Sequence, residues 1–284
     1  MIGFSENWLA LREPYDHAAR ATSLLAPLRH WREARHGLAV VDLGAGSGSN
    51  LRAVAPSLGS GQSWTLVDYD ADLLLAARRR LSRWATAEGF ALESAARSLT
   101  IEGDGFSLSV AFQQADLRNL ADLPLQAADL VTGAALLDLV SQDWVTACAA
   151  LCRQAALYFL LTFDGDLGFL PEDAGDARIR AAFLRHQCGD KGFGPALGPN
   201  AARRAPELLQ AQGFAVQDAA SPWDLGPEDQ ALQRALFDGY AAAAREIEPA
   251  AAADIAAWLD RRRQHLEAGA QHRVGHRDLL ALPA

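Results

Sequence analysis

The chain has 284 residues, half of them apolar, and its 26 basic and 35 acidic side chains give a formal net charge of −9. This length and apolar fraction allow a sizeable buried core, and a charged fraction of 21% does not fit a disordered chain. The excess of acidic over basic residues argues against nucleic acid or an anionic membrane as an obligate partner. No apolar run approaches the ~20 residues of a membrane helix.

The first 162 residues alternate helical patterns with short apolar runs. Helices are predicted at residues 13–35, where Pro14 suits a first turn, and at 50–58, 72–84 and 141–154. Strands are predicted at residues 38–43, 64–68, 99–102, 106–110, 129–132 and 157–162. This alternation predicts an α/β fold with a mostly parallel sheet covered by helices on both faces.

The last third of the chain is richer in helices. Helices are predicted at residues 176–187, 201–212, 227–246 and 250–268, and strands at 214–217 and 273–282. The two last helices predict a helical hairpin over residues 227–268. Because the sequence shows no convincing domain boundary, we expect a single domain over residues 1–284. It is made of an N-terminal helical segment (1–35), a cofactor-binding core (36–162) and a C-terminal elaboration on the substrate side (163–284).

The strongest motif is a glycine-rich turn between the first predicted strand and the next helix. Residues 42–50 read Asp-Leu-Gly-Ala-Gly-Ser-Gly-Ser-Asn. Glycines in such a turn allow positive φ and let a ligand approach the backbone. A dinucleotide fingerprint, G-x-G-x-x-G, would place its third glycine one residue later than Gly48, so the turn does not favour a nicotinamide cofactor.

The turn resembles motif I of the class I S-adenosylmethionine (SAM)-dependent methyltransferases, D/E-x-G-x-G-x-G. The resemblance implies SAM as cofactor and a Rossmann-like methyltransferase fold with a mostly parallel seven-stranded sheet, an N-terminal helix and a C-terminal helical insertion. It places Asp42 near the methionine ammonium of SAM, and Gly44 and Gly46 against the ligand.

Further residues match the family in chain order over about residues 38–162. The resemblance implies that Asp68 accepts the ribose hydroxyls and that Tyr69 beside it contacts the cofactor. It places Asp116 and Leu117 at the adenine and Gly133 beside the sulfonium. Each acidic residue also has a structural interpretation, since Asp42, Asp68 and Asp116 could cap a turn or a helix.

Arg20 is a further candidate for cofactor binding. A helix often precedes the first strand in this family and lies over the cofactor, so a guanidinium there could pair with the methionine carboxylate. The alternative is a surface ion pair with Asp16, four residues earlier, which would contribute little to stability.

Acceptor-binding residues are expected where strands end at their carboxyl termini. Asp138 follows the fourth core strand among apolar residues, so burial could raise the pKa of its carboxyl group and let it orient or deprotonate a nucleophile. A helix cap or an ion pair is the alternative role. Asp164 is predicted in a loop after the fifth strand, either near the acceptor or as a turn-stabilising residue.

His186 and Lys191 are candidates for acceptor binding in the last third. His186 lies on the apolar face of its predicted helix, where a histidine is either a satisfied core residue or a catalytic group. Lys191 is the only lysine among the 26 basic residues, in a loop rich in glycine and proline. It could pair with an acceptor carboxylate or phosphate, because its compact ammonium differs from a guanidinium.

These features favour SAM-dependent methyl transfer to a small molecule by a cytoplasmic enzyme, since residues 1–6 lack the pattern of a signal peptide. The alternatives are a protein or RNA methyltransferase and a non-methylating SAM-binding protein. An N-P-P-Y-type motif is absent after the fourth core strand, where Gly133-Ala134-Ala135-Leu136 stands. No metal site is expected, and the sequence leaves a homodimer, the acceptor and the methylated atom open.

Overall fold

The computed structural model describes residues 4–283, so residues 1–3 of the expected N-terminal segment lie outside it. The strands of this part are β1 (Leu38–Leu43), β2 (Gln62–Asp68), β3 (Ala91–Ser94), β4 (Ser98–Gly103), β5 (Phe106–Gln114), β6 (Leu130–Ala134), β7 (Ala156–Leu170), β8 (Phe214–Ala220), β9 (Trp223–Leu225) and β10 (Gln271–Pro283). The helices are α1 (Glu6–Ala19), α2 (Leu25–Glu33), α3 (Ser49–Val54), α4 (Ala71–Ala87), α5 (Gln142–Leu151), α6 (Asp176–Gln187), α7 (Ala201–Ala211), α8 (Gln230–Ile247) and α9 (Ala252–Glu267).

The strands form one sheet in the order β3-β4-β5-β2-β1-β6-β7-β10-β8, with β9 paired to β10. Strands β5, β2, β1, β6 and β7 are parallel neighbours. Strand β10 is antiparallel to β7, β8 and β9, and β4 is antiparallel to β3 and β5. The expected seven strands are present from β5 to β8, but β3, β4 and β9 bring the described sheet to ten.

Helices cover both faces of the sheet, as the alternating pattern predicted. Successive side chains of β1 enter different cores, because Val40 packs with one apolar cluster and Val41 with the other. The first cluster includes Leu28, Leu51 and Leu81 from α2, α3 and α4. The second includes apolar residues of α5 and α7. The α/β, Rossmann-like architecture is therefore confirmed, with the differences in strand number and direction given above.

The prediction of one helix over residues 13–35 is wrong. The first helix begins after its N-cap Ser5, and Pro14 lies inside α1 rather than in its first turn. The chain leaves the helical conformation at Arg20, where φ is −55° and ψ is 135°. The amide of Ala21 then donates to Asp278 Oδ2 of β10 at 2.8 Å instead of continuing the helical hydrogen bonds. A contact with a distant strand therefore ends α1.

The fifth core strand is longer than predicted, which corrects the position of Asp164. Strand β7 continues to Leu170, and Asp164 lies within it rather than in a loop. Strand β10 pairs with it from Leu157 to Leu170, through two register shifts. Because this partner satisfies the backbone groups of β7, the strand does not end where its apolar run ends.

The predicted helical hairpin is confirmed, since α8 and α9 follow β9 and precede β10. Its apolar faces enclose a third cluster that includes Phe169, Phe237 and Trp258. A buried ion pair joins α6 to α9, where Arg262 Nε lies 3.0 Å from Asp176 Oδ1. Over residues 4–283, no helix combines the length and apolarity needed to cross a membrane.

Candidate functional site

The glycine turn (residues 44–48) connects β1 to α3 at the carboxyl edge of the parallel strands. Gly44, Gly46 and Gly48 have φ values of +65°, +51° and +74°, the left-handed region that favours glycine. A Cβ on Gly46 would lie 3.0 Å from Leu9 Cδ1 of α1. The turn therefore needs glycine for its conformation, and α1 lies over it.

Asp42 is fully buried at the end of β1, behind the glycine turn. Its Oδ1 accepts a hydrogen bond of 2.9 Å from Asn50 Nδ2, and its Oδ2 has no partner among residues 4–283. Burial raises the pKa of Asp42 to about 7, although the Asn50 hydrogen bond and the charge of Arg20 oppose this shift. Asn50 also donates to Thr132 Oγ1 at 3.0 Å, so strand β6 shares this network.

Arg20 reaches this network from the end of α1. Its Nη1 donates to Asn50 Oδ1 at 3.0 Å, and its Nε has no partner in the described part of the chain. The expected alternative, a surface pair with Asp16, is wrong, because Asp16 is held by two hydrogen bonds from Arg12. Arg20 therefore lies beside the buried carboxylate of Asp42, where the resemblance expected a guanidinium over the cofactor.

Asp68 ends β2 next to the glycine turn and is buried. Its Oδ2 accepts from the amide of Gly46 at 2.8 Å, and its Oδ1 accepts from the amide of Asp70 at 3.0 Å. Burial raises the pKa of Asp68, and these amide hydrogen bonds oppose that shift. A carboxylate has about four lone-pair sites, so Asp68 can hold the turn and still accept from a ligand hydroxyl.

The other expected cofactor contacts lie at the rim of the same edge. Tyr69 is 41% exposed. Asp116 accepts from the amide of Arg118 at 2.9 Å and from its Nε at 2.8 Å, and this arginine lowers the pKa of Asp116. Leu117 is buried, and its Cδ1 would lie 3.9 Å from a Cβ on Gly44. A ligand amino group would therefore compete with Arg118 for Asp116.

Strand β6 approaches β1 closely beside the glycine turn. A Cβ on Gly133 would lie 2.9 Å from the carbonyl oxygen of Leu43, so this approach requires glycine. Ala135 then has a φ of +52°, an uncommon value for a residue with a side chain. Such backbone strain clusters at ligand and active sites. No sequence pattern indicated the conformation of Ala135.

Asp138 is buried beyond the end of β6, as its apolar neighbours predicted. It is not the cap of α5, whose N-cap is Ser141, and no ion pair within residues 4–283 involves it. Its Oδ1 has no hydrogen-bond partner among the residues that the structure describes. Burial raises the pKa of Asp138 to about 6, while nearby amides and the charges of Arg12 and Lys191 oppose the shift. This carboxyl group can accept a proton near neutral pH.

Lys191 and His186 contact each other next to Asp138. Lys191 Nζ lies 3.0 Å from the carbonyl oxygen of His186 and 3.4 Å from its Nδ1. His186 Nε2 lies 3.2 Å from Glu246 Oε2, and its side chain is 23% exposed. Burial lowers the pKa of Lys191. The positive charge of Lys191 also acts on Asp138 and lowers the pKa of its carboxyl group.

Asp164 has different neighbours from the other candidates. Its Oδ1 accepts from the amide of Asp166 at 2.9 Å. A Cβ on Gly275 of β10 would lie only 2.1 Å from the same oxygen. Asp164 therefore fills the space left by a glycine on the neighbouring strand, and nothing in its contacts brings it to Asp138.

Helix α1 connects the two sides of this edge, a connection that the sequence did not indicate. Glu13 accepts from Arg52 Nε of α3 at 3.1 Å and from Arg80 Nη1 of α4 at 3.1 Å. On its other side, Tyr15 donates to Asp229 at 2.9 Å. Polar contacts on both sides therefore hold α1 across the glycine turn.

No family model matches the chain, and no curated protein matches it. Among solved structures, it is similar to the YcgJ protein of Bacillus subtilis, with 16% identity over 93% of this chain and 100% of that chain and a TM-score of 0.49. It is also similar to a SAM-dependent methyltransferase of Geobacter sulfurreducens in complex with S-adenosyl-L-homocysteine, with 14% identity over 99% of each chain and a TM-score of 0.45.

A third similar structure is an O-methyltransferase family protein of Burkholderia thailandensis, with 15% identity over 75% of this chain and 54% of that chain and a TM-score of 0.45. Many of the similar structures are thus described as methyltransferases. With identities under 25% and TM-scores under 0.5, these likenesses establish neither a family nor a function for this chain. Its Rossmann-like fold is defined by the strand order and by the helices on both faces of the sheet.

Proposed function

We propose that this protein transfers a methyl group from SAM to a small-molecule acceptor. The observation that carries the proposal is a left-handed glycine turn beside two buried polar atoms without partners, Asp42 Oδ2 and Arg20 Nε. Such an unpaired atom costs about 1–3 kcal/mol, which a bound ligand can recover. The methionine part of SAM carries an ammonium and a carboxylate, and these charges complement Asp42 and Arg20.

The remaining cofactor contacts follow the same edge of the sheet. Asp68 would accept the ribose hydroxyls, with Tyr69 at the rim. Leu117 would pack against the adenine, and Asp116 would accept from its amino group after releasing Arg118. Gly133 would lie beside the sulfonium. When bound, SAM supplies a methyl group that is electrophilic because its sulfur carries a positive charge.

The acceptor would bind beyond β6, where Asp138 has a free carboxylate oxygen. Asp138 would orient the nucleophile and take its proton, and Lys191 would bind an anionic part of the acceptor. His186 would position Lys191 through the contacts described above. The contacts of Asp164 support a packing role more than a role in binding. A cytoplasmic location and a homodimer remain predictions.

The first experiment is binding of S-adenosylhomocysteine, measured by calorimetry, with NAD as the competing candidate. The test variant is Gly46→Arg, which places a long side chain against Leu9. Its control is Gly105→Arg, because Gly105 also has a positive φ, +66°, but has open space around it. We expect binding to the native protein and the control, and none to Gly46→Arg. Binding of NAD alone would contradict the proposal.

The acceptor class needs a second experiment with methyl-labelled SAM and an extract of the source organism. The extract is separated into small molecules, proteins and nucleic acids before incubation. Label in the small-molecule fraction, lost in Gly46→Arg, is the expected result. Label in protein or RNA would contradict a small-molecule acceptor. Binding without transfer to any fraction would instead favour a non-methylating SAM-binding protein.

A further inference from the structure

His276 is a buried histidine on β10 that the proposed reaction does not yet use. It is 6% exposed, and its Nδ1 has no hydrogen-bond partner within residues 4–283. Its ring lies 4.9 Å from the ring of Trp223 and 6.3 Å from that of Phe163, centroid to centroid. Burial lowers the pKa of His276 to about 3, so its imidazole is neutral at physiological pH. A neutral imidazole both donates and accepts hydrogen bonds.

An irregularity in the sheet lies next to this side chain. The pairing of β10 with β7 shifts register between Val274 and His276, and His276 then pairs with Phe163. Such bulges occur next to active sites, where they change the direction of a side chain. Gly275 is required at this point, because a Cβ there would overlap Asp164. The close approach of Asp164 to Gly275 therefore lies directly beside His276 in β10.

Asp138 and His276 share a neighbour in Arg12 of α1. The charge of Arg12 acts on both groups, and its Cζ lies 5.0 Å from the centroid of Trp223. Arg12 is itself satisfied by two hydrogen bonds to Asp16, at 2.9 and 3.1 Å. The neighbouring cation is therefore neutralised, while Asp138 Oδ1 and His276 Nδ1 remain unpaired. Trp223 Nε1, at the same place, is buried and unpaired as well. These three unpaired polar atoms and the adjacent aromatic rings indicate a ligand with a polar group on a flat apolar body.

We propose that Asp138 and His276 together bind the nucleophile of a small planar acceptor, a phenolic hydroxyl or an aromatic amine, whose ring packs against Trp223 and Phe163. This inference rests on the proposed function and specifies its acceptor. The nucleophile donates to Asp138 Oδ1 and makes its second hydrogen bond with His276 Nδ1. Aromatic rings at this wall favour edge-to-face or offset contacts with the acceptor ring.

Asp138 and His276 have different roles in the transfer step. The acceptor oxygen or nitrogen forms a bond to the methyl carbon, and the methyl–sulfur bond breaks with its electron pair going to sulfur. The proton of the hydroxyl or amine moves to Asp138 Oδ1. His276 keeps the lone pair of the nucleophile directed at the methyl carbon, and its contribution is therefore to orientation.

The test compares three neutral probes on protein saturated with S-adenosylhomocysteine: methyl 4-hydroxybenzoate, methyl 4-aminobenzoate and methyl benzoate. We expect the two probes with a protic group to bind at least about 10-fold more tightly than methyl benzoate, the equivalent of about one good hydrogen bond. His276→Phe keeps a planar ring and should remove most of that preference. His30→Phe is the matched control, since the His30 side chain is 89% exposed on α2.

Affinity for S-adenosylhomocysteine separates the two levels of the proposal. Suppose that S-adenosylhomocysteine binds the native protein. If the three probes then bind equally, or if His276→Phe keeps the native preference, the acceptor assignment is overturned and the proposed function stands. If S-adenosylhomocysteine does not bind the native protein, the acceptor assignment and the proposed function are both overturned. Should His276→Phe fail to fold, Asp138→Leu gives the same comparison, because leucine is of similar size and cannot accept a hydrogen bond from the probe.

Discussion

The side-chain amide of Asn50 donates a hydrogen bond of 2.9 Å to the buried carboxylate of Asp42. The oxygen of the same amide accepts from Arg20 Nη1 at 3.0 Å. Asn50 therefore connects the end of β1 to the end of α1. It lies between the carboxyl group of Asp42 and the guanidinium of Arg20, and Asp42 Oδ2 and Arg20 Nε stay unpaired. Those two atoms are the ones that the proposed cofactor would use.

Replacing Asn50 by alanine should weaken both the fold and the cofactor site. Asp42 Oδ1 and Arg20 Nη1 would lose their partner inside the protein, which costs about 1–3 kcal/mol of unfolding free energy. Affinity for S-adenosylhomocysteine should fall at least about 10-fold, because neither charge is then held in place. Urea unfolding and calorimetry measure the two effects. Asn119→Ala, on an exposed residue before Leu120, is the control; equal behaviour of the two variants would contradict the role given to Asn50.

The pKa of Asp42 predicts how stability changes with pH. Burial raises this pKa from 3.8 to about 7, so between these pH values the folded state holds a proton that the unfolded chain has lost. The unfolding free energy therefore falls as pH rises through this window. Asp42→Asn removes this contribution and should make the fall shallower in urea unfolding from pH 4 to 8. Asp72→Asn, at an exposed residue of α4, is the control and should keep the pH slope of the native protein. An unchanged slope in Asp42→Asn would refute the raised pKa of Asp42.

Asp138 gives a prediction for activity rather than stability. Its carboxyl group has a pKa of about 6 and can take a proton only when ionised, so the rate of methyl transfer should rise with pH through about 6. Asp138→Asn should lower the rate by about 10²–10⁴-fold and abolish that inflection. Asp143→Asn, in the first turn of α5, serves as the control. A native pH profile in Asp138→Asn would show that another group takes the proton.

Helix α1 should depend on Glu13 for its attachment over the glycine turn. Glu13→Gln would leave Arg52, whose side chain is 6% exposed, without its carboxylate partner. We expect a loss of about 1.5–3 kcal/mol for opening of α1, seen as faster amide hydrogen exchange in that helix. Glu33→Gln, at an exposed position of α2, should not change the exchange of α1. Slow exchange of α1 in Glu13→Gln would mean that its other contacts suffice.

The sequence by itself determined the elements and the glycine turn. Short apolar runs predicted the central strands. Between the strands predicted at residues 99–102 and 106–110 stands Asp104-Gly105, a pair typical of a hairpin turn, and β4 and β5 are antiparallel neighbours around it. Ser141 stands at the start of the helix predicted at residues 141–154, where serine is a preferred N-cap, and its Oγ accepts from the amide of Trp144 at 3.2 Å. These features were predictable because burial pattern, turn conformation and capping depend on residues close together in the chain.

Strand ends and site partners were decided by the tertiary structure. Ala21 ends α1 by donating to Asp278, 257 residues away, and β7 extends past its apolar run because β10 pairs with it. Asn50 and His276 read as ordinary polar residues in the sequence. Their roles depend on atoms of segments that are distant in the chain. The energy of a hydrogen bond or of a buried charge depends on these surrounding atoms, and a local sequence pattern does not specify them.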